Sequence, residues 1–375
     1  MTGIYIHVPF CKQACSYCNF HFSTSLRLKD DMVEAIIREI HLRAPNWPWQ
    51  AVDTIYFGGG TPSLLSGLEL SRIYDALSMY FDLSNVKEST LEANPDDLTP
   101  EKLKSLADSP INRLSIGIQS FIERDLQYMN RAHTSEEAHK CIEDAYKMGF
   151  DQLTVDLIYG VPGLTSAEWE DNLNNLFQYD IPHLSCYALT VEPKTALHHQ
   201  IKTGKSDPPD EALVADQFQT LQTMSEHNGY EHYEISNFAK DKQYARHNTS
   251  YWFGKPYLGL GPSAHSYDGQ HRQWNVANNP KYIKSMQSRQ LAIETEYLSD
   301  ADRYNEMVLC RMRTMWGMNK ADLEGLSEVF SKHFLQEVKP YIDNEKVIES
   351  ADGYQLSRAG KLLADKITSD LFYID

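Results

Sequence analysis

Apolar and polar positions along this chain fall into short strand-like runs separated by longer helix-like stretches. Strands are predicted at Ile4–Val8, Thr54–Phe57, Glu88–Glu92, Arg113–Ile118, Gln152–Ile158 and His183–Leu189. Helices are predicted between them, at Asp31–Arg43, Gly67–Phe81, Pro100–Ala107, Ser135–Met148 and Ala167–Gln178. Thr99-Pro100 and Thr134-Ser135, each followed by acids, read as helix starts. Regular βα alternation implies an α/β fold in which helices cover a parallel sheet. Six such units make a partial (β/α)6 barrel, and ligands gather at the carboxyl ends of its strands.

The pattern changes in the second half. Lys202–Pro209 reads as a loop, Ala212–His227 as a helix, and the Asn-rich stretch Trp274–Pro280 as loop-like. From Ala301 onward the chain reads as helices at Asp302–Arg313, Lys320–Leu326 and Glu328–Val338. Two short strands follow, Lys346–Glu349 and Gly353–Leu356, and then a helix at Arg358–Ser369. Helices followed by a two-stranded wing suggest a smaller C-terminal α+β winged-helix-like module. The expected division is a barrel over residues 1–235, a connecting region over 236–300 and the module over 301–375. Winged modules often bind DNA, but acids are interspersed throughout this one, so a docking or lid role is the expectation.

Composition narrows the setting. With 375 residues the chain can bury a full core and add a smaller domain. Its net charge of −17 argues against nucleic acid and against anionic lipid. Six cysteines, three of them clustered, do not make a disulfide framework and fit a reducing compartment. Cys141, Cys186 and Cys310 are isolated and read as plain core or surface residues. No signal-like or membrane-spanning segment is visible, so a cytoplasmic protein is expected.

The candidate chemistry begins in Tyr5-Ile6-His7-Val8-Pro9-Phe10-Cys11, where Cys11, Cys15 and Cys18 form a C-x3-C-x2-C run directly after the first strand. One curled turn brings three such thiolates to a common side. Three thiolates suit an iron–sulfur cluster, and a [4Fe–4S] cube held by only three leaves one iron open. A zinc site using His7 or His21 is the competing reading, as are inert buried thiols. The absence of a second C-x2-C pair and the clustering itself favour the iron–sulfur cluster.

Other strand ends carry polar groups: Gly58-Gly59-Gly60-Thr61-Pro62-Ser63, Glu92, Gln119 and Asp156. Arg131 lies in Asn130-Arg131-Ala132-His133, and a guanidinium there can pair with a carboxylate. Each alone is commonly a turn, a cap or a salt bridge. Together at one rim they offer donors and acceptors for ribose, amino and carboxylate groups.

The cysteine spacing, with Tyr17 directly before the last cysteine, resembles the radical S-adenosylmethionine (SAM) superfamily. Tyr5–Cys11, Gly58–Ser63, Asn130–His133 and the segments around Gln119 and Asp156 together resemble its HemN/HemW group, over nearly the whole chain and most specifically in the first 190 residues. The resemblance implies a cluster on Cys11, Cys15 and Cys18 whose open iron binds the methionine part of SAM. It further implies SAM contacts from Tyr5, Tyr17, Gly59, Gly60, Thr61, Glu92, Gln119, Arg131 and Asp156.

Two branches are then in view. The oxygen-independent coproporphyrinogen III dehydrogenase branch has a further Cys two residues past the third, where this chain has Phe20, and an extension ahead of the first strand. The haem-chaperone branch carries HNxxYW, which His247-Asn248-Thr249-Ser250-Tyr251-Trp252 resembles. An imidazole can ligate haem iron and aromatic faces can stack on a porphyrin. His247 is thus the leading haem candidate, with His265 a weaker one.

The expectation is a haem chaperone holding the cluster and SAM, with haem as cargo and acceptor proteins such as respiratory enzymes as partners. The alternative is radical SAM oxidative decarboxylation of coproporphyrinogen III, so whether the chain is an enzyme stays open. Peripheral membrane association and a homodimer also come only from the resemblance.

Overall fold

The computed structural model describes residues 2–374. Six parallel strands lie side by side in chain order: β1 (Thr2–Val8), β2 (Val52–Gly59), β3 (Glu88–Ala93), β4 (Arg113–Gln119), β5 (Gln152–Tyr159) and β6 (His183–Ala188). Every neighbouring pair among them is parallel. Parallel strands joined by helical crossovers are buried on both faces. Accordingly all seven residues of β4 are buried.

The connecting helices run over Lys29–Arg43, Gly67–Ser78, Pro100–Ala107, Ser135–Lys147 and Ser166–Phe177. Their starts are set locally. Ser66 with Glu69, Thr134 with Glu137 and Thr165 with Glu168 each close a capping box, satisfying two backbone donors reciprocally. Their apolar faces join the strands in one core that runs from Ile4 to Met286. The expected α/β architecture with six βα units is therefore the observed one.

Six more strands extend the sheet to twelve. On one edge, β7 (Glu231–Glu234) and β8 (Asn237–Ala239) form a hairpin in which β8 lies antiparallel to β6. On the other edge, β9 (Tyr257–Leu260) pairs parallel with β1. Beyond it β10 (His265–Tyr267), β11 (His271–Asn275) and β12 (Ile293–Tyr297) continue antiparallel. The loop expected at Trp274–Pro280 is thus partly ordered structure: Trp274 and Asn275 end β11, and a helix begins at Asn279. β12 reads Ile-Glu-Thr-Glu-Tyr and is largely exposed. A charged edge strand resists pairing with other chains and carries little hydrophobic signal.

The C-terminal elements have their own core, built on Tyr304, Val308, Met312, Phe334 and Val338. Helices Asp300–Met312, Lys320–Glu324 and Glu328–Asp343 pack on a three-stranded sheet of β13 (Met318–Asn319), β14 (Val347–Glu349) and β15 (Gly353–Leu356). The third strand is too short to be read from sequence. The final helix is broken into Arg358–Lys361 and Ala364–Asp370. The module meets the barrel through backbone bonds from Ile235 to Arg313 (3.1 Å) and from Met315 to Tyr233 (2.8 Å). Lys361 Nζ also donates to the His232 carbonyl at 3.0 Å. No helix among the described residues is long and apolar enough to cross a membrane.

Candidate functional site

The carboxyl end of β1 runs directly into the cysteine loop, and neighbouring strand ends hold that loop in place. Cys11 N–H donates to the Ser23 carbonyl (3.1 Å), Ser23 N–H to the Pro9 carbonyl (2.9 Å) and Ser16 N–H to the Met129 carbonyl (3.0 Å). The Asn130 amide, from a residue at φ 54°, donates to the Ala14 carbonyl at 2.7 Å. Lys12 reaches Asp96 at 2.9 Å and also pairs with Asp97. Protein hydrogen bonds and ion pairs therefore hold the loop from both sides.

The glycine segment after β2 packs on this loop. Gly60 N–H donates to the Val8 carbonyl (2.9 Å) and Thr61 N–H to the Phe10 carbonyl (2.7 Å). A Cβ on Gly60 would stand 2.6 Å from the Phe10 carbonyl oxygen, and one on Gly59 would stand 2.6 Å from the His7 ring. What these glycines permit is the close approach of two protein segments.

All three cysteines are partly buried and unpaired. Burial pushes the Cys11 thiol up to about 11, with the Cys18 and Cys15 sulfurs adding to the rise; burial likewise raises Cys18. A cationic centre reverses that preference, because coordination deprotonates a thiol. Among the described residues no three His, Cys, Asp or Glu side chains converge tightly enough for one metal ion. Three clustered thiols are a donor set of the kind an iron–sulfur cluster uses.

Arg131 organises the opposite side. Its Nη1 lies 3.2 Å from Cys15 Sγ, and its Nη2 donates to Asn94 Oδ1 (2.7 Å) and the Gly117 carbonyl (2.6 Å). Only its buried Nε lacks a partner. Asn94 in turn donates to Thr61 Oγ1 at 3.2 Å. Gln119 sits at φ 70° at an irregularity between β4 and β5, which re-aims its side chain. A Cβ on Gly117 would meet Gln119 Nε2 at 2.7 Å and Arg131 Nη2 at 3.4 Å, so Gly117 makes room for both.

Two carboxylates lie deeper. Glu92 accepts from Tyr56 Oη (2.7 Å) and from Gly59 N–H (3.2 Å), and burial raises its pKa. Asp156 is pushed up to about 7 by burial first and by the Glu92 charge second. Ser115 Oγ donates to it at 3.4 Å. Tyr5 Oη lies 3.2 Å from His7 Nδ1, and burial with Glu92 raises the phenol. Burial raises Tyr17 as well. The expected site residues at the strand ends therefore form one connected group, from Cys15 through Arg131 and Thr61 to Gly59, Glu92 and Asp156.

His247 is placed apart. Its side chain is 1 % exposed, with Nδ1 2.8 Å from Thr54 Oγ1 and Nε2 2.7 Å from Tyr251 Oη. Its ring stacks near Tyr56, at 5.1 Å between centroids. Both nitrogens are engaged, so His247 supports Tyr251 from behind.

Tyr251 lines a cavity of about 850 Å³ between the barrel mouth and the C-terminal module. Asn19 and Phe20 of the cysteine loop form one side of it, and Phe20 is 66 % exposed. Trp252, Phe253 and Tyr257 add flat faces, and Arg303, Glu306, Met307, Cys310 and Arg311 come from one helix. Sequence reasoning missed that helix face, although its three- and four-residue spacing is the signal that finds it. It also left out Asn94 and Tyr56, and named His7 only for a competing zinc site.

This architecture, with cysteines at the open end of β1, is that of a radical SAM protein: the chain matches the Radical SAM superfamily over residues 5–176. It also matches the HemN C-terminal domain over residues 298–363. It is 31% identical over 371 residues to the heme chaperone HemW of Bacillus subtilis, covering 98% of each chain. It is 32% identical over 374 residues to that of Mycobacterium tuberculosis, covering 98% of this chain and 94% of that one. Among solved structures it is similar to coproporphyrinogen III oxidase (HemN) of Escherichia coli, a radical SAM enzyme. The TM-score is 0.86 at 23% identity, over 99% of this chain and 90% of that one. The chain belongs to the HemN/HemW family of radical SAM proteins. Membership brings a general capability for a [4Fe–4S] cluster and SAM.

Proposed function

We propose that this protein binds haem beside a cluster and SAM site and passes the haem to acceptor proteins such as respiratory enzymes. The observation that carries the reading is the 850 Å³ cavity. It opens between the cysteine loop and the C-terminal module, and the Tyr251–Trp252 segment forms part of its wall. Drug- and cofactor-sized ligands occupy pockets of about 300–1,000 Å³, so a porphyrin macrocycle is within range. Relatives that match almost the whole length of the chain carry the name heme chaperone.

In this reading Cys11, Cys15 and Cys18 would hold the cluster, which would supply an electron to SAM. The protein's own side chains do the rest. Arg131 neutralises sulfur charge at Cys15 and keeps Asn94 and Thr61 in register. Glu92 and Asp156, buried and reluctant to ionise together, accept hydrogen bonds from ribose hydroxyls or an ammonium group. Gln119 and the backbone at Gly59 and Gly60 give further polar contacts at the same rim. Tyr5 and Phe20 line the aromatic cavity beside this rim.

Coproporphyrinogen decarboxylation is the second reading, favoured by the fold shared with HemN. Phe20 weighs against it, since a bulky apolar side chain stands where that branch carries a fourth cysteine. The test is anaerobic reconstitution, haem titration by the Soret band, and transfer to an apo-haem protein added afterwards. Saturable binding followed by transfer supports the proposal. Haem that binds but never leaves for an acceptor, or that does not bind, defeats it.

A further inference from the structure

Four walls of the 850 Å³ cavity come from distant parts of the chain, yet they place complementary chemistry around one space. The floor is sheet. Tyr267 of β10 pairs with Tyr257 of β9 and with Arg272 of β11, and His265 pairs with Trp274. Residues paired across strands share a face, as do positions two apart on one strand. His265, Tyr267, Tyr257 and Arg272 thus stand on one surface, and all four line the cavity. The facing helix presents Arg303, Met307, Cys310 and Arg311.

The charge of this space opposes that of the chain. Its ionic lining is Lys255, Arg272, Arg303 and Arg311 against Glu306 alone, four cations to one anion, in a protein of net charge −17. Arg272 is paired with Glu306 at 2.5 Å and Arg311 with Asp322 at 3.3 Å. Arg303 has only a solvent-exposed partner, Asp300 at 3.1 Å. Lys255 makes no ion pair among the described residues. Such a basic wall suits a ligand bearing carboxylates.

Among the imidazoles and thiols lining the cavity, His265 is the imidazole least committed to other partners. His7 has both ring nitrogens engaged, by Tyr5 Oη (3.2 Å) and the His21 carbonyl (2.9 Å). His21 Nε2 is held by Asn279 Oδ1 at 2.7 Å. Burial favours the protonated thiol at Cys310. His265 makes no side-chain hydrogen bond among the described residues. Its position is nonetheless rigid: its ring stacks on Trp274 with centroids 5.8 Å apart. The backbone of β9 also presses so closely on it that a Cβ on Gly259 would stand 1.8 Å from the His265 carbonyl oxygen.

We propose that His265 is the iron ligand for a carboxylate-bearing tetrapyrrole in this cavity, with Arg303 and Lys255 taking its carboxylates. This rests on the haem reading above and assigns its ligand to β10, away from the buried His247.

The test titrates haemin and metal-free protoporphyrin separately into the full, cluster-reconstituted chain and into His265→Ala, Cys310→Ser and Arg303→Ala. His265→Ala is expected to shift the Soret band and weaken haemin by about tenfold or more. Metal-free protoporphyrin should bind that variant as it binds the unaltered protein, and added imidazole should restore the original haemin spectrum. Arg303→Ala is expected to weaken both porphyrins alike. An unchanged haemin spectrum in His265→Ala overturns the assignment, and a shift confined to Cys310→Ser moves it to the thiol. Equal loss of both porphyrins in His265→Ala makes the residue a packing element and also overturns it. If the unaltered protein binds neither porphyrin, the haem reading itself falls.

Discussion

The cysteine loop and the large cavity adjoin each other, since Asn19 and Phe20 belong to both, but they are built in opposite ways. The loop follows one strand and is fastened by backbone hydrogen bonds and by residues in the segments that follow β2, β3 and β4, namely Thr61, Asn94 and Arg131. The cavity joins a loop near residue 20, a short helix near 251, three antiparallel strands and a helix near 307. A local site of the first kind tolerates little change in any one segment. A composite site of the second kind can alter its cargo through side chains that the fold does not need.

The largest effect that sharpens this contrast is expected from Cys15→Ser. Iron and the visible cluster absorbance should vanish after anaerobic reconstitution, while far-ultraviolet circular dichroism stays that of a folded chain. Unfolding of this variant would mean that the loop depends on the metal, contrary to the protein-only bonds that hold it.

Next comes Asp156. Its folded pKa of about 7 lies above the ordinary carboxylate value, so the folded state holds a proton that the unfolded state releases. Stability contributed by that proton is complete below about pH 4 and is lost as the pH rises to about 7. Urea unfolding of the SAM-free protein across that window should show this decline, and Asp156→Asn should flatten it. A variant with the same slope as the unaltered chain would remove Asp156 as the cause.

Gly60→Ala drives a methyl group against the Phe10 carbonyl at 2.6 Å. Overpacking of this kind costs about 1–3 kcal/mol, and the expected loss falls on cluster retention while porphyrin affinity is kept. Denaturant titration and iron content read the two separately. The smallest change is Tyr251→Phe, which leaves His247 Nε2 without its 2.7 Å partner. Stranding a buried polar group costs about 1–3 kcal/mol, and thermal unfolding should register it with the cluster intact.

The same contrast explains what could be read from sequence. The six parallel strands and their helices show plainly, because short strand-like runs such as Arg113–Ile118 alternate with capped helices. The cysteine loop stood out through its spacing, whereas the strand-end residues took a role only from the resemblance to a family. The cavity was not legible. Its floor strands, Tyr257–Leu260, His265–Tyr267 and His271–Asn275, are short segments without a clear apolar–polar alternation. Its cations are scattered over residues 255 to 311 and meet only in the fold. His247 was legible as part of a motif, but nothing in the sequence shows that both its nitrogens are engaged.

One measurement bears most directly on the division between a radical-type site and a haem-holding cavity. The reconstituted protein is given SAM, a reductant and either haem or coproporphyrinogen III, and absorbance and tetrapyrrole products are followed together. Saturable haem binding near one per chain, with coproporphyrinogen III left intact, is the expected result. Steady decarboxylation of coproporphyrinogen III without a haem Soret band would contradict it.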